Sequence, residues 1–438
     1  MTARAAIFFA RDFLADEFSR LGSAMGARPR VYIVMNAGEA ARVRSGDPAG
    51  EVFVIGESPA AAVLLADSDA INRDRTLRFA EPAEIAEVRA RIAATCHAVL
   101  ARHPEPAFYF DEPVSGYANE AFSREFSSAG ALALHFHSTW LPGLMFFTND
   151  WGQARPVPLN LGLGSRALVT EHIAARAQGG ALPHYVLSYG KISTRVRDMA
   201  LTQAKAVYRR YARRGGSYID RDPEAHRFHA HALKASLAGG YSPDPVGPDG
   251  ATGAGPMVVF PLHYEPEALL NYFSPYLRQE DVAARLLDTL PPDGTLVLKE
   301  HPSQPGALML PKWRDLVRAG RVVALPGTYP ATRLLAARPT VISLGSTFAL
   351  EAALAGCPTG ILGTVHFGDL PGISRITRPE DWVALSDRPT ATADMVADWY
   401  AAFLARYAFA GNFMRGRTWI EDPEQLIAAL GMAAGDPA

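Results

Sequence analysis

At 438 residues, 48% of them hydrophobic and 20% charged, the chain is long enough to bury the cores of two domains. A net charge of -2 excludes a general nucleic-acid binder that works by neutralising phosphates. Cys96 and Cys357 are the only cysteines, too few for a disulfide framework or a thiolate metal site, and they fit a reducing compartment.

AAIFFA (5–10) reads as a buried strand, and DFLADEFSRLGSAMG after it carries apolar residues at helical spacing. Arg11 and Asp12 cut the apolar run too short for a signal peptide. No apolar segment approaches the ~20 residues that span a bilayer. The expectation is a soluble, cytoplasmic protein. RVYIVM (30–35), EVFVIG (51–56), AFYF (107–110) and ALALHF (131–136) read as further strands, and AEIAEVRARIAATCHAVLARH as a long helix. Short apolar runs alternating with helical segments imply a parallel sheet covered by helices.

Residues 191–214 carry Lys191, Arg195, Arg197, Lys205, Arg209, Arg210, Arg213 and Arg214 against one acid, Asp198. That is either a solvated helical face or a contact with anionic lipid or glycan. GGYSPDPVGPDGATGAGP (239–256) reads as an exposed linker. After it the alternation resumes with MVVFPLH, DVAARLLDTL, TLVLKEH, RVVALP, TVISLG and FALEAALAG. The expected organisation is an N-terminal Rossmann-like domain over 1–245, with a basic helical segment at 191–240. A linker at 246–256 leads to a second Rossmann-like domain over 257–395, and helices over 396–438 pack back across both. Two such α/β halves create a cleft, a preferred place for ligands.

Four loops follow strands of the second half, and ligands of open α/β sheets bind at the carboxyl ends of strands. VVFPLHYEPE (258–267) places His263, Glu265 and Glu267 there. LVLKEHPSQPG (296–306) supplies Lys299, Glu300 and His301 before Pro302 breaks the strand. GTVHFGDLPG (363–372) supplies His366 and Asp369. In SLGSTFALEAALAGCP (343–358), Gly345 permits a tight turn, Ser346 or Thr347 caps the helix, and Gly356 and Pro358 end it. An anion at such a helix start gains ~0.3–1 kcal/mol, and ~2 if partly buried. A plain N-cap with no ligand is the bland alternative. Glu351, one turn on, can accept from ribose hydroxyls or stand as a surface glutamate. His301 can bind a phosphate and stabilise a departing nucleotide. Lys299 and Glu300 alternate in direction, so at most one shares its face.

In AFYFDEPVSGYANEAF (107–122), Asp111 and Glu112 end a strand and Glu120 follows. The pair can supply a general base for a hydroxyl acceptor, or simply sit at a helix start. His226, His229 and His231 lack the i, i+4 spacing of a zinc helix. His135 and His137 share a strand face but lack a third ligand, so no metal is expected. Walker, GxGxxG and GxSxG motifs are absent.

FPLHYEPE, KEHP and GSTFALEAALAGCP, in that order, resemble the bacterial capsule polysaccharide biosynthesis family, mainly over residues 258–375. The family includes transferases that use CMP-activated Kdo (3-deoxy-D-manno-octulosonic acid). The resemblance implies an α/β, GT-B-like fold of two Rossmann-like domains whose parallel sheets face a central cleft. Acceptor would bind the first domain and nucleotide sugar the second. Several bacterial sialyltransferases similarly pair an HP motif with a Ser/Thr motif. Carried over, His301 contacts the donor phosphate or leaving CMP, Ser346 and Thr347 hold the phosphate, and Glu351 faces the nucleoside. His263 stands where some members have Gln. The expected catalytic groups are Asp111, Glu112 and His301. The expected donor contacts are His263, Glu267, Lys299, Glu300, Gly345, Ser346, Thr347 and Glu351. The expected reaction moves a Kdo-like sugar from a CMP-sugar to a glycan or glycolipid hydroxyl. It needs no cofactor, and segment 191–214 is the candidate contact with the inner membrane. The alternatives are a GT-B transferase using a UDP-, GDP- or dTDP-sugar, a nucleotide-sugar epimerase, and a non-catalytic assembly subunit.

Overall fold

The computed structural model describes residues 3–58, 68–74, 76–177, 197, 200–201, 204, 241–242, 245, 255–265, 269–302, 304, 306–318, 321–412 and 420–431. They form two compact units. One runs to Ser165 and takes up the chain again from Ala402; the other holds the described residues from Arg166 to Ala401. The first unit therefore ends well before the expected 245. Most of the expected linker, the basic residues of 191–214 other than Arg197, Glu267, and His226, His229 and His231 lie outside the described residues.

The first unit is built on β1 (Ala6–Phe9), β2 (Arg30–Val34), β3 (Glu51–Val54), β4 (Phe108–Asp111), β5 (Leu132–Ser138), β6 (Leu144–Thr148) and β13 (Ala408–Ala410). Their order is β13-β6-β5-β4-β1-β2-β3. The strands from β5 to β3 are parallel, while β6 and β13 add antiparallel at one edge. Strands such as AIFF are apolar on both faces because helices cover both. On one face Phe8 stacks on Phe110 at 4.8 Å, and Phe18 of α1 (Leu14–Ser23) closes over them. On the other, Phe9 meets Phe122 of α5 (Tyr117–Ser128) at 5.0 Å, beside α4 (Pro82–Arg102). α2 (Ala37–Gly46) and the short α3 (Ser68–Arg73) complete the set. Phe409, Ile420, Leu426 and Ile427 join the Phe8 face, which ties the chain's end to this unit. Part of that end, expected to be helical, is the strand β13, which covers the free edge of β6 and buries Ala408 and Phe409.

The second unit carries β7 (Met257–Pro261), β8 (Thr295–Lys299), β9 (Val322–Leu325), β10 (Thr340–Ser343), β11 (Thr359–Ile361) and β12 (Ile373–Arg375). All are parallel, in the order β12-β11-β10-β7-β8-β9. α6 (Arg166–Ala177), α7 (Gln279–Thr289), α8 (Pro311–Arg318), α9 (Ala331–Ala336) and α10 (Thr347–Leu354) belong to it, as does most of α11 (Ala393–Tyr407). α12 (Pro423–Ala429) returns to the first unit. α6 goes with the second unit because Arg166 pairs with Asp394 and Asp398, and Arg176 with Glu351.

Strand order reverses beside the first strand of each sheet, between β1 and β4 and between β7 and β10. Two such doubly wound units make the chain α/β and GT-B-like. Among the described residues, no helix is long and apolar enough to cross a membrane.

Candidate functional site

The neighbouring strands β8, β7 and β10 run out into His301, His263 and Ser346–Thr347 respectively. All three endings lie at the carboxyl edge around the reversal of the second sheet, where such folds bind ligands.

His263 is placed by Gln279, a buried side chain at the start of α7. Its Oε1 accepts from the His263 N–H at 2.6 Å, and its Nε2 donates to the His263 carbonyl at 3.1 Å. The imidazole is buried, and among the described residues its Nε2 has no hydrogen-bond partner. Burial, and then the neighbouring His301, push its pKa down to about 3. His301 is half-buried, its ring 6.1 Å from that of Tyr264, and burial plus Lys299 lower its pKa to about 4. Both imidazoles are therefore neutral at pH 7 and offer dipolar N–H groups, not cations.

The rest of KEHP builds the turn. Lys299 Nζ is buried and donates to the Gly327 carbonyl at 2.7 Å, and burial lowers its pKa to about 8. A Cβ at Gly327 would lie 2.7 Å from Pro302 Cα and 2.8 Å from the His301 carbonyl, so only glycine lets the β9 loop pack there. Glu300 is buried too. Its carboxylate accepts from Tyr241 Oη at 2.6 Å, Gly306 N at 2.9 Å and Leu308 N at 3.0 Å. Both residues, expected to contact the nucleotide, here anchor the turn that presents His301.

At the start of α10, Ser346 is the N-cap, and its Oγ accepts from Phe348 N at 3.1 Å. Ser343 Oγ already accepts from Gly345 N at 3.1 Å and Ser346 N at 2.9 Å. Gly345 holds φ at 149°, a region that favours glycine. Ser343 and Ser346 thus occupy backbone donors that the sequence suggested would be open, and Thr347, the first residue of the helix, is exposed. Glu351 lies one turn further, and its carboxylate is paired with Arg176. The site is braced by the β11 loop: Thr364 N and Oγ1 both donate to the Phe273 carbonyl, at 2.7 and 3.1 Å. Phe273 ends a π turn (Leu269–Phe273) after β7.

The other loop residues are engaged elsewhere. Glu265 accepts from Gln279 Nε2 at 2.8 Å and pairs with Lys312. His366 is buried against Tyr400 Oη at 3.1 Å, and exposed Asp369 pairs with Arg375 at 2.8 Å.

At the reversal in the first sheet, β1 runs out into Arg11 and β4 into Asp111 and Glu112. Asp111 is fully buried; its carboxylate accepts from Tyr109 Oη (2.6 Å), Asn119 Nδ2 (3.0 Å) and Glu112 N (2.8 Å). Burial raises its pKa to about 7, against the lowering effects of Tyr109, Arg11 and Asn119. The carboxyl expected to act in catalysis is thus enclosed by its own unit's groups. Glu112, partly exposed, forms an ion pair with Arg11. Glu120 is buried between Arg73 and Arg124. His135 bonds Ser123 Oγ at 3.0 Å and the Glu112 carbonyl at 3.2 Å, and His137 bonds Thr148 Oγ1 at 3.1 Å. Among the described residues, no group of three His, Cys, Asp or Glu could hold a metal.

No protein-family model and no curated protein matches the chain in sequence. Solved structures do resemble it. One is Thermosulfurimonas dismutans KpsC, a beta Kdo 2,7 transferase, 12% identical over 92% of this chain and 98% of that one, with a TM-score of 0.38. A glycosyltransferase from Rickettsia africae is 8% identical, covering 92% of this chain and 93% of that one, with a TM-score of 0.28. A UDP-GlcNAc 2-epimerase from Neisseria meningitidis is 9% identical, covering 98% and 99%, with a TM-score of 0.24. Identities and scores are low, so the fold class stands on the strand orders themselves.

Four residues that shape these sites escaped the sequence reading: Gln279, Ser343, Arg176 and Arg11. Only Ser343 left a local signal, as the first hydroxyl of the S-L-G-S turn.

Proposed function

We propose that the chain is a glycosyltransferase of bacterial surface-polysaccharide synthesis, moving an acidic, Kdo-like sugar from a CMP-sugar to a glycan or glycolipid hydroxyl. The observation that carries the reading is the buried His263 Nε2, unpartnered among the described residues, at the sheet reversal beside His301 and the exposed Thr347. A buried polar atom without a partner costs about 1–3 kcal/mol, which a ligand oxygen would recover.

In this reading the donor phosphate sits at the start of α10, taking hydrogen bonds from Thr347. Neutral His263 and His301 donate N–H groups to oxygens that gain charge as CMP departs. Glu112, partly exposed where Asp111 is fully buried, is the acid of the first unit better placed to meet an acceptor hydroxyl. Its pairing with Arg11 has to loosen before it can act as a base.

Thermal-shift measurements with CMP, UDP, GDP and dTDP test the donor class. CMP alone is expected to raise the melting temperature, and His301→Ala to abolish that rise. Stabilisation by UDP instead would move the chain to a different donor class. Indifference to all four nucleotides would sink the transferase reading.

A further inference from the structure

In the first unit the backbone of Glu112 is held from both sides. Its N–H donates to Asp111 Oδ1 at 2.8 Å, and its carbonyl accepts from His135 Nδ1 at 3.2 Å. Asp111 and His135 are register partners on the parallel strands β4 and β5. Tyr109 braces the two, with its hydroxyl on Asp111 at 2.6 Å and its ring edge-on to the imidazole at 6.3 Å. Asp111 and His135 are fully buried, whereas the Glu112 side chain keeps 13% of its surface exposed. A fixed backbone that carries one side chain to the rim is how a reactive group is preorganised.

The hydrogen bonds of His135 run in one direction. A carbonyl can only accept, so Nδ1 carries the proton. Burial pushes the imidazole pKa down to about 3, so the ring is neutral and Nε2 is bare. Nε2 therefore accepts from Ser123 Oγ at 3.0 Å. Ser123 Oγ accepts in turn, at 3.1 Å, from Trp151 Nε1, a group that only donates. The Arg124 guanidinium covers that indole at 5.2 Å. The run from Trp151 to the Glu112 carbonyl gives every N–H and O–H along it an acceptor, and it holds the imidazole in one tautomer.

We infer that His135 is a positioning residue for Glu112: its Nδ1–H, oriented through Ser123 and Trp151, fixes the peptide that aims the Glu112 carboxylate at an acceptor hydroxyl. The inference rests on the transferase reading, in which Glu112 is the base. His135 is fully buried and acts through Glu112 alone, so replacing it should change turnover and leave donor affinity as it was.

Two substitutions in the full chain divide the imidazole between its arms. Asparagine places an amide N–H near the Nδ1 position and keeps the Glu112 arm. Glutamine places an amide oxygen near the Nε2 position and keeps the Ser123 arm. The probe is CMP-Kdo with water as the acceptor, read as CMP release above the rate in buffer. Glu112→Gln should nearly abolish that release. His135→Gln is expected to lower kcat about tenfold with the KM for CMP-Kdo unchanged, while His135→Asn stays within about threefold of the unaltered chain. Each variant gives up one hydrogen bond, so both should melt at similar temperatures, and a loss of fold would not divide them. Ser123→Ala is milder: it keeps the imidazole, removes the donor that fixes its tautomer, and should lower kcat about threefold. If the two His135 variants lose turnover equally, or neither loses any, or the loss falls on KM, His135 is a core residue and the inference is wrong. Should either of them fail to fold, an unchanged kcat in Ser123→Ala overturns the inference in their place. If the unaltered chain releases no CMP above the buffer rate, or Glu112→Gln releases it at the full rate, the reading of Glu112 as the base of a transferase has failed, a result distinct from any pattern among the His135 variants.

Discussion

The two sheets share the same reversal of strand order beside their first strand, yet the side chains at their carboxyl edges differ. At the reversal in the first unit the polar groups are closed on one another: Arg11 on Glu112, and Asp111 on Tyr109 and Asn119. At the reversal in the second unit, Thr347 is exposed and His263 Nε2 is unpartnered among the described residues. A doubly wound sheet provides the crevice, and the side chains decide whether it can take a ligand. An ion pair across the first reversal makes a firm joint there; neutral dipoles at the second leave room for an incoming charge.

The largest effect expected from this contrast is at Arg11. Arg11→Met leaves the Glu112 carboxylate in a mostly buried place without its cation, and losing one partner of such a pair costs about 3–5 kcal/mol. Urea denaturation should show that loss, and the double replacement R11M/E112Q should recover most of it. CMP stabilisation should survive in both variants. Loss of CMP stabilisation in the well-folded double variant would mean that the first reversal also serves the nucleotide.

The two units should also part company in acid. In the second unit His172, His263, His301 and His366 all have folded pKa values below the usual 6.5 because burial disfavours their charged form. Below pH 6.5 the unfolded chain binds protons that the folded unit refuses. Each group then costs up to about 1.4 kcal/mol per pH unit as pH falls toward its folded value. Glu300, raised by burial, is the one shifted group opposing this among the described residues of the unit. In the first unit His135 pulls the same way, but Asp111, raised to about 7, binds a proton that the unfolded chain lacks between about pH 4 and 7. That adds stability as pH falls through 7 and offsets His135. Amide hydrogen exchange read on peptides from each unit should show the second loosening first between pH 7 and 5. Equal loosening would remove the electrostatic half of the contrast.

What could be read from the chain follows the range of the forces involved. Strands such as RVYIV and TVIS announce themselves because both faces are apolar. β11, β12 and β13 have three residues each, too short to show a period, and the neighbours they pair with make them strands. The unit boundary at Ser165 depends on ion pairs between residues far apart, such as Arg176 and Glu351, which lie 175 positions from each other. The shared edge of His263, His301, Ser346 and Thr347 was legible because parallel strands deliver their following loops to one edge. The burial of Asp111 was not, since a strand-end carboxylate looks the same whether it meets solvent or Tyr109.

The smallest effect separates a cap from a site. Ser346 caps α10 through Phe348 N, and Asn36 caps α2 of the first unit through Glu39 N at 3.0 Å. Removing either oxygen, as Ser346→Ala or Asn36→Ala, should cost about 1 kcal/mol in thermal melts without ligand. Saturating CMP should divide them. A phosphate at the start of α10 offers its own oxygen to the orphaned N–H, so the Ser346→Ala deficit should shrink. The Asn36→Ala deficit should stay, because α2 is given no ligand to replace its cap. If CMP leaves both deficits unchanged, the phosphate does not sit at the start of α10, and the contrast between the two edges reduces to one of internal pairing.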